Sequence, residues 1–274
     1  MIRKNGYFYE QKEDRFEIYL PAGDGYMKFN LLHIVKPYVD GGLYQNANLW
    51  RLYQLYLFER KDDDFKPVYD FPIVNIGEWE WAVKIKDTPD FHGGFHGYEG
   101  LVDTSFSAEE DFFLFEQNSK IYLQGTENEE IAHHYKKYIF SKDGLTLSQR
   151  VVWTKAMPIE RSFMTMLPIR RKEGDFSITD TAIYKGKSYD ISEAEHSTPI
   201  SFFETGGKLD DEITILGSSS GVSATVSVDF DNTFFVANPN RYNKLYVCNA
   251  KNTYTKVGEE WKSKTTYSFS FKKP

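Results

Sequence analysis

From Val222 to Phe230 the chain alternates without a break. Val222, Ala224, Val226, Val228 and Phe230 fall on one side of an extended backbone, and Ser223, Thr225, Ser227 and Asp229 fall on the other. A period of two belongs to the β-strand, whose successive side chains point to opposite faces, so the apolar face needs a second layer to cover it. The pattern begins again at Leu145 and runs towards Trp153. It returns over Thr265 to Phe271, where Tyr267, Phe269 and Phe271 place a ring on every second residue. Runs rich in Val, Ile, Thr, Tyr and Phe recur at roughly 8 to 15 residues between Gly, Asp and Asn clusters, the mark of an all-β domain. Between the Tyr135 to Phe140 run and the Leu145 run, Asp143-Gly144 predicts a tight hairpin.

Two stretches are ambiguous. Asn48 to Arg60 places Leu49, Leu52, Tyr53, Tyr56 and Leu57 on a helical face, yet its rings also suit a strand, and its strand-rich surroundings favour the latter. Ser107-Ala108-Glu109-Glu110 matches a helix-capping box, while Phe112-Phe113-Leu114-Phe115 behind it reads equally as a buried strand. At most two short helices are therefore expected. No Pro-rich or Ser-rich linker and no repeat of roughly 20–50 residues divides the chain, so residues 1–274 read as a single large antiparallel β-sandwich or barrel.

Composition removes several functional classes. With 33 basic against 40 acidic residues the net charge is -7, which opposes neutralisation of a polyanion, and no nucleic-acid partner is expected. The one cysteine, Cys248, sits in an apolar run and reads as a small buried hydrophobe in a reducing compartment. The N-terminus meets Glu10, Lys12, Glu13 and Asp14 with no apolar core of a signal peptide, and no run approaches the roughly 18 apolar residues of a membrane span. A location in the cytoplasm or on a virion, with no membrane partner, is expected. The 46 aromatic rings leave association of copies through a ring-rich surface open.

The segment least explained by packing is Asp90-Phe91-His92-Gly93-Gly94-Phe95-His96-Gly97-Tyr98-Glu99-Gly100. Its glycines allow a tight loop that displays His92, His96, Tyr98 and Glu99 from a defined backbone. The four-then-three spacing of His92, His96 and Glu99 would suit metal ligation only on a helix, which the glycines oppose, so neither a metal nor another cofactor is expected. Proton transfer fits better, because a histidine titrates near neutrality and a nearby carboxylate fixes its tautomer. Upstream, Trp79 and Trp81 would point the same way from a strand. They read either as a stacking platform for a sugar or as core residues with Glu80 outside. His133 and His134 are adjacent, so on a strand they point to opposite faces: one buried and hydrogen bonded, the other solvated.

Phe91 to Glu99 resembles the Leu-His-Gly-Gly-x-x-Gly-Phe-Asp segment of aldose 1-epimerases, the galactose-mutarotase-like family. The order of a hairpin, then Leu145 to Trp153, then Arg161 to Ile169 is also similar to the strand order of that family's β-supersandwich. The resemblance implies that fold, a carbohydrate ligand, and sugar contact by the histidine matching His92. The stretch Arg161 to Leu167 stands where the family carries its second, general-acid histidine, and it holds none. The same supersandwich resembles domains of polysaccharide lyases, which implies His96 or Tyr98 as a base and Arg51 or Arg161 as the neutraliser of a uronate carboxylate. Loops in uncharacterised proteins of Gram-positive bacteria and their phages also look alike. Two classes follow: an epimerase-like or lyase-like enzyme, and a non-catalytic glycan-binding or phage-tail-associated protein.

Overall fold

A computed structural model describes residues 1–36, 47–61, 64–126, 128–193, 200–203, 212–232, 234–239 and 241–274. The chain opens with a meander of five strands, β1 (Ile2–Lys4), β2 (Tyr7–Gln11), β3 (Arg15–Ala22), β4 (Gly25–Lys36) and β5 (Ala47–Lys61), and β6 (Asp64–Pro67) folds back on β5. It then crosses to a second sheet for β7 (Ala82–Ile85) and β8 (Phe91–His92). A second meander follows in the first sheet: β9 (Glu99–Ala108), β10 (Phe112–Tyr122), β11 (Glu130–Ser141) and β12 (Gly144–Trp153). The long β13 (Pro158–Arg170) returns to the second sheet, and β14 (Lys172–Glu173) with β15 (Phe176–Ser177) forms a small ribbon.

The last third alternates between the layers. β16 (Thr181–Tyr184), β17 (Lys187–Asp190), β19 (Ile213–Leu216), β20 (Val222–Val228) and β23 (Glu260–Phe271) extend the first sheet, while β18 (Ile200–Phe203), β21 (Phe234–Pro239) and β22 (Tyr242–Tyr254) complete the second. Among the described residues the first sheet has 15 strands and the second has 6, ordered β18-β21-β22-β13-β7-β8. Among the described residues every strand ladder is antiparallel except β5 with β9, where Ala47 and Asn48 run parallel to Glu99 and Gly100. That junction splices the two meanders and sets the exit of the glycine loop beside the start of β5.

The alternating sequence does what its period requires. β12 buries Leu145, Leu147, Gln149, Val151 and Trp153, and β20 buries Val222, Ala224 and Val226. These faces meet Val83, Ile85, Met164, Leu167, Ile169, Leu245 and Val247 of the second sheet in one apolar core. Asn48 to Arg60 lies within β5, and Phe112 to Phe115 opens β10, so both ambiguous stretches are strands; Asp143-Gly144 turns the β11–β12 hairpin. The only helical turn among the described residues is a single 3-10 turn at Gly94–His96. No helix among them is long and apolar enough to cross a membrane.

Candidate functional site

The glycine loop leaves β8 and doubles back over Trp81. Gly93 (φ +78°) and Gly94 (φ +51°) take left-handed backbone, and a Cβ on Gly93 would stand 2.9 Å from the Trp81 carbonyl oxygen. Only glycine fits that close approach. The Gly93 N–H donates to the Gly97 carbonyl at 2.8 Å and the His96 N–H to the Gly93 carbonyl at 3.1 Å, closing the turn. Tyr98 keeps a positive φ of 56°, and its carbonyl accepts the Tyr122 N–H at 2.7 Å, which ties the exit to the end of β10.

Charged groups buried between the sheets hold the loop from beneath. Arg51 of β5 donates through Nη1 to the Phe95 carbonyl at 2.7 Å, and its guanidinium lies 5.0 Å from the Phe95 ring centroid. Glu80 is fully buried; its Oε1 accepts the Leu52 N–H at 2.8 Å and the Tyr138 hydroxyl at 2.9 Å. Glu99 faces Lys136 Nζ at 3.1 Å and His134 Nδ1 at 3.3 Å, and accepts the Ser119 hydroxyl. Burial alone would raise the Glu99 carboxyl, but the charges of Lys136 and His134 and the hydrogen bonds outweigh it and hold the group well below the ordinary carboxylate range.

Most of the residues expected to face a ligand therefore face the core. His92, Tyr98 and Glu99, expected to act from the loop surface, are buried. His92 Nε2 accepts the Gln124 N–H at 2.9 Å, which leaves its proton on Nδ1. Burial, opposed by the Val83 carbonyl and Asp90, lowers its pKa to about 4, so it is neutral at pH 7. Trp79 and Trp81, read as a stacking platform or as core, lie in the core outside any strand. Tyr267 and Phe269 pack on Trp79, and His134 and Trp153 on Trp81, whose Nε1–H donates to Ser162 at 2.9 Å. Glu80 is buried with them rather than outside. Arg51 serves the loop backbone from the interior.

His96 takes a different place. Its Nδ1 stands 3.2 Å from Asp90 Oδ1, both side chains about 15% exposed, on the outer face of the second sheet. Burial would raise Asp90, yet the hydrogen bonds from His96 and the Phe91 N–H, with the charges of His96 and Lys84, hold its carboxyl below the usual range. Beside the pair runs a row of rings. Phe91 lies 5.2 Å from the His96 ring and 6.0 Å from Phe163, which lies 4.8 Å from Tyr246. Lys244, paired with Glu78 at 2.8 Å, closes the row. Arg161 is on this face too, because the β7–β13 register sets it opposite Lys84 and sets Phe163 opposite Ala82 of the outer cluster. A carboxylate on Nδ1 fixes the histidine proton there and leaves Nε2 as a proton acceptor. No three His, Cys, Asp or Glu side chains gather as metal ligands among the described residues.

Asp90, Phe163 and Tyr246 escape sequence reasoning. Asp90 begins the glycine segment and carries a legible cue, a carboxylate six residues before a histidine across a turn. Phe163 and Tyr246 carry none, since only the pairing of β13 with β22 brings them to the loop.

Comparison with known proteins bears on the fold. No family profile matches the sequence, and no curated protein does. The crystal structure of a galactose mutarotase-like protein from Clostridium acetobutylicum is similar over 98% of this chain and 99% of that one, with a TM-score of 0.50 at 13% identity. The crystal structure of galactose 1-epimerase from Lactobacillus acidophilus is similar over 99% of each chain, with a TM-score of 0.50 at 12% identity. The chain has the galactose-mutarotase-like fold. Within this galactose-mutarotase-like architecture His92, for which the resemblance implied sugar contact, is sealed inside, and His96 is the loop histidine near the surface.

Proposed function

We propose that the outer face around Asp90 and His96 binds a reducing sugar and moves protons at its anomeric centre, an epimerase-like activity. The Asp90–His96 contact at 3.2 Å carries the reading, because it is a carboxylate-oriented base at the border of an aromatic face. His96 Nε2 takes the proton of the anomeric hydroxyl, the C1–O5 bond breaks with its electron pair going to O5, and O5 takes a proton from water. Rotation about C1–C2 and the reverse addition give the other anomer. Phe91 and Tyr246 supply apolar ring surface for the sugar's C–H face.

Polarimetry of freshly dissolved α-galactose at pH 7 tests this. The wild-type chain accelerates equilibration, His96→Asn loses about a hundredfold of the catalysed rate, and Asp90→Asn loses about tenfold. Equilibration at the uncatalysed rate with the wild type, or an unchanged rate with His96→Asn, refutes the catalytic reading. A glycan-binding role without turnover is the second reading, supported by the Phe91–Phe163–Tyr246 ring row, and it predicts galactose binding with no acceleration.

A further inference from the structure

β9 presents an open strand edge of a kind that the rest of the fold avoids. The other strands at the ends of the sheets or hanging from them are short: β1 has 3 residues, β17, β6 and β18 have 4 each, and β8 has 2. β1, β17 and β6 also carry Arg3 and Lys4, Lys187 and Asp190, and Asp64, Lys66 and Pro67. Short length, charge and proline are ordinary means of keeping an edge from pairing with another chain. β9 runs for 10 residues, pairs with β10 along one side, and meets β5 on the other side only at Glu99 and Gly100. Beyond that point two buried side chains draw β5 away: Gln117 Oε1 of β10 accepts the Trp50 N–H at 2.5 Å, and Lys136 Nζ of β11 donates to the Trp50 carbonyl at 3.3 Å. From Leu101 to Ser107 no strand but β10 bonds to β9 among the described residues. Residues 102–106 are all exposed, Val102 by 57% and Phe106 by 46%. A bulge falls at Val102, and Asp103 to Ala108 keeps a regular register against β10. The free side of that stretch offers a row of backbone donors and acceptors.

We infer that the free edge of β9 pairs with β9 of a second copy of this chain, antiparallel about a two-fold axis through Ser105, and joins the two large sheets into one. A two-fold contact sets residue i opposite residue j and residue j opposite residue i, so the edge has to complement itself. It does. Although the chain carries a net charge of -7, Asp103 is the only charged residue from Leu101 to Ala108. Centring the pair on Ser105 sets Asp103 opposite Ser107 of the copy, so no like charges meet. The carboxylate of Asp103 is also held by the Asn118 side-chain amide at 2.6 Å. The same register sets the exposed Phe106 ring opposite Thr104 of the copy, an aromatic against a β-branched side chain. One strand pair is small beside the roughly 1,200–2,000 Å² of a standard interface, so the dimer dissociates on dilution. The pairing does not involve Asp90 or His96 and is independent of the sugar reading.

Sedimentation velocity of the whole chain from the low micromolar to the millimolar range, beside amide hydrogen exchange at both ends of that range, tests the pairing. The chain passes from monomer to dimer as concentration rises, and amides between Asp103 and Ser107 that exchange at once in the dilute sample become protected in the concentrated one. Ser105→Lys sets two cations opposite each other across the axis, weakens the dimer by about tenfold or more, and regains part of the loss at high salt. Ser105→Thr keeps the dimer. Ser188→Lys, which adds the same charge to the exposed edge of β17, keeps it too. Equal thermal midpoints for dilute wild type and dilute Ser105→Lys show that pairing and not folding is lost. A chain that stays monomeric to millimolar concentration overturns the inference. A dimer that survives Ser105→Lys, or that forms without slowing exchange in β9, has its interface elsewhere and also overturns it. Should Ser105→Lys not fold, exchange in the wild type decides alone: protection of β9 that grows with concentration supports the pairing, and its absence refutes it.

Discussion

Lys136→Met removes the nearest cation from a fully buried carboxylate. Glu99 and Lys136 are closed off from solvent and 3.1 Å apart, with His134 at 3.3 Å on the same carboxylate and the charge of Arg51 acting on it from further away. Breaking a buried pair by deleting one member costs about 3–5 kcal/mol, because the remaining charge keeps its desolvation penalty and loses its compensation. At roughly 2–4 °C per kcal/mol for a chain of this length, the midpoint of thermal unfolding falls by about 10 °C. Glu99→Gln in the same background removes the stranded charge and recovers most of the loss. The sign with pH follows from the lowered Glu99 carboxyl. In the wild type its stabilisation is present above the unfolded value and is lost only as pH falls far below that. In Lys136→Met the carboxyl rises and protonates earlier, so the deficit is largest at neutral pH and narrows in acid. Urea unfolding of the single and double variants between pH 7 and pH 4 measures the cycle. A Lys136→Met cost under about 1 kcal/mol, or a double variant no more stable than the single, refutes the claim that this ion pair anchors the loop exit.

Three further outcomes follow from the same geometry. Because the His92 pKa falls from 6.5 to about 4 on folding, the unfolded chain binds a proton that the folded one refuses; stability drops by about 3 kcal/mol as pH falls from 7 to 4, and His92→Gln flattens that slope in denaturant unfolding. Gly93→Ala forces a Cβ to 2.9 Å from the Trp81 carbonyl at φ +78°, costing about 1–3 kcal/mol and displacing His96, which a urea midpoint and the polarimetric rate report together. Trp81→Phe loses the indole hydrogen bond to Ser162 at 2.9 Å and contact with Trp153, costing about 2–3 kcal/mol by thermal unfolding.

The sheets were legible because their signal is local. Alternation over Val222 to Phe230 and the Asp143-Gly144 turn need no partner to be read, and the ambiguity at Asn48 to Arg60 yields to the ladder with β4, which no local propensity reports. The loop was legible as a special backbone, since its glycines carry the left-handed φ values that the turn over Trp81 requires. Its facing was not. Which of His92, His96, Tyr98 and Glu99 turns outward depends on Arg51, Glu80 and Lys136 reaching it from β5, the Trp79–Trp81 segment and β11, contacts separated by tens of residues. A lysine within the alternating β11 pattern reads as solvated, yet Lys136 falls on the inward face and is buried because Glu99 is there to meet it. The adjacent His133 and His134 divide as strand alternation requires, His134 buried and His133 at the surface against Glu130.

The measurement that bears most directly on this account is a galactose titration followed by side-chain NMR of the histidine and aromatic rings. The account predicts that His96, Phe91 and Tyr246 resonances move together with one saturable affinity, while those of the buried His92 and His134 stay in place. Shifts confined to another surface, such as the 490 Å³ groove lined by Asn118, Tyr135 and Arg150 on the first sheet, would contradict it, as would no shift at all.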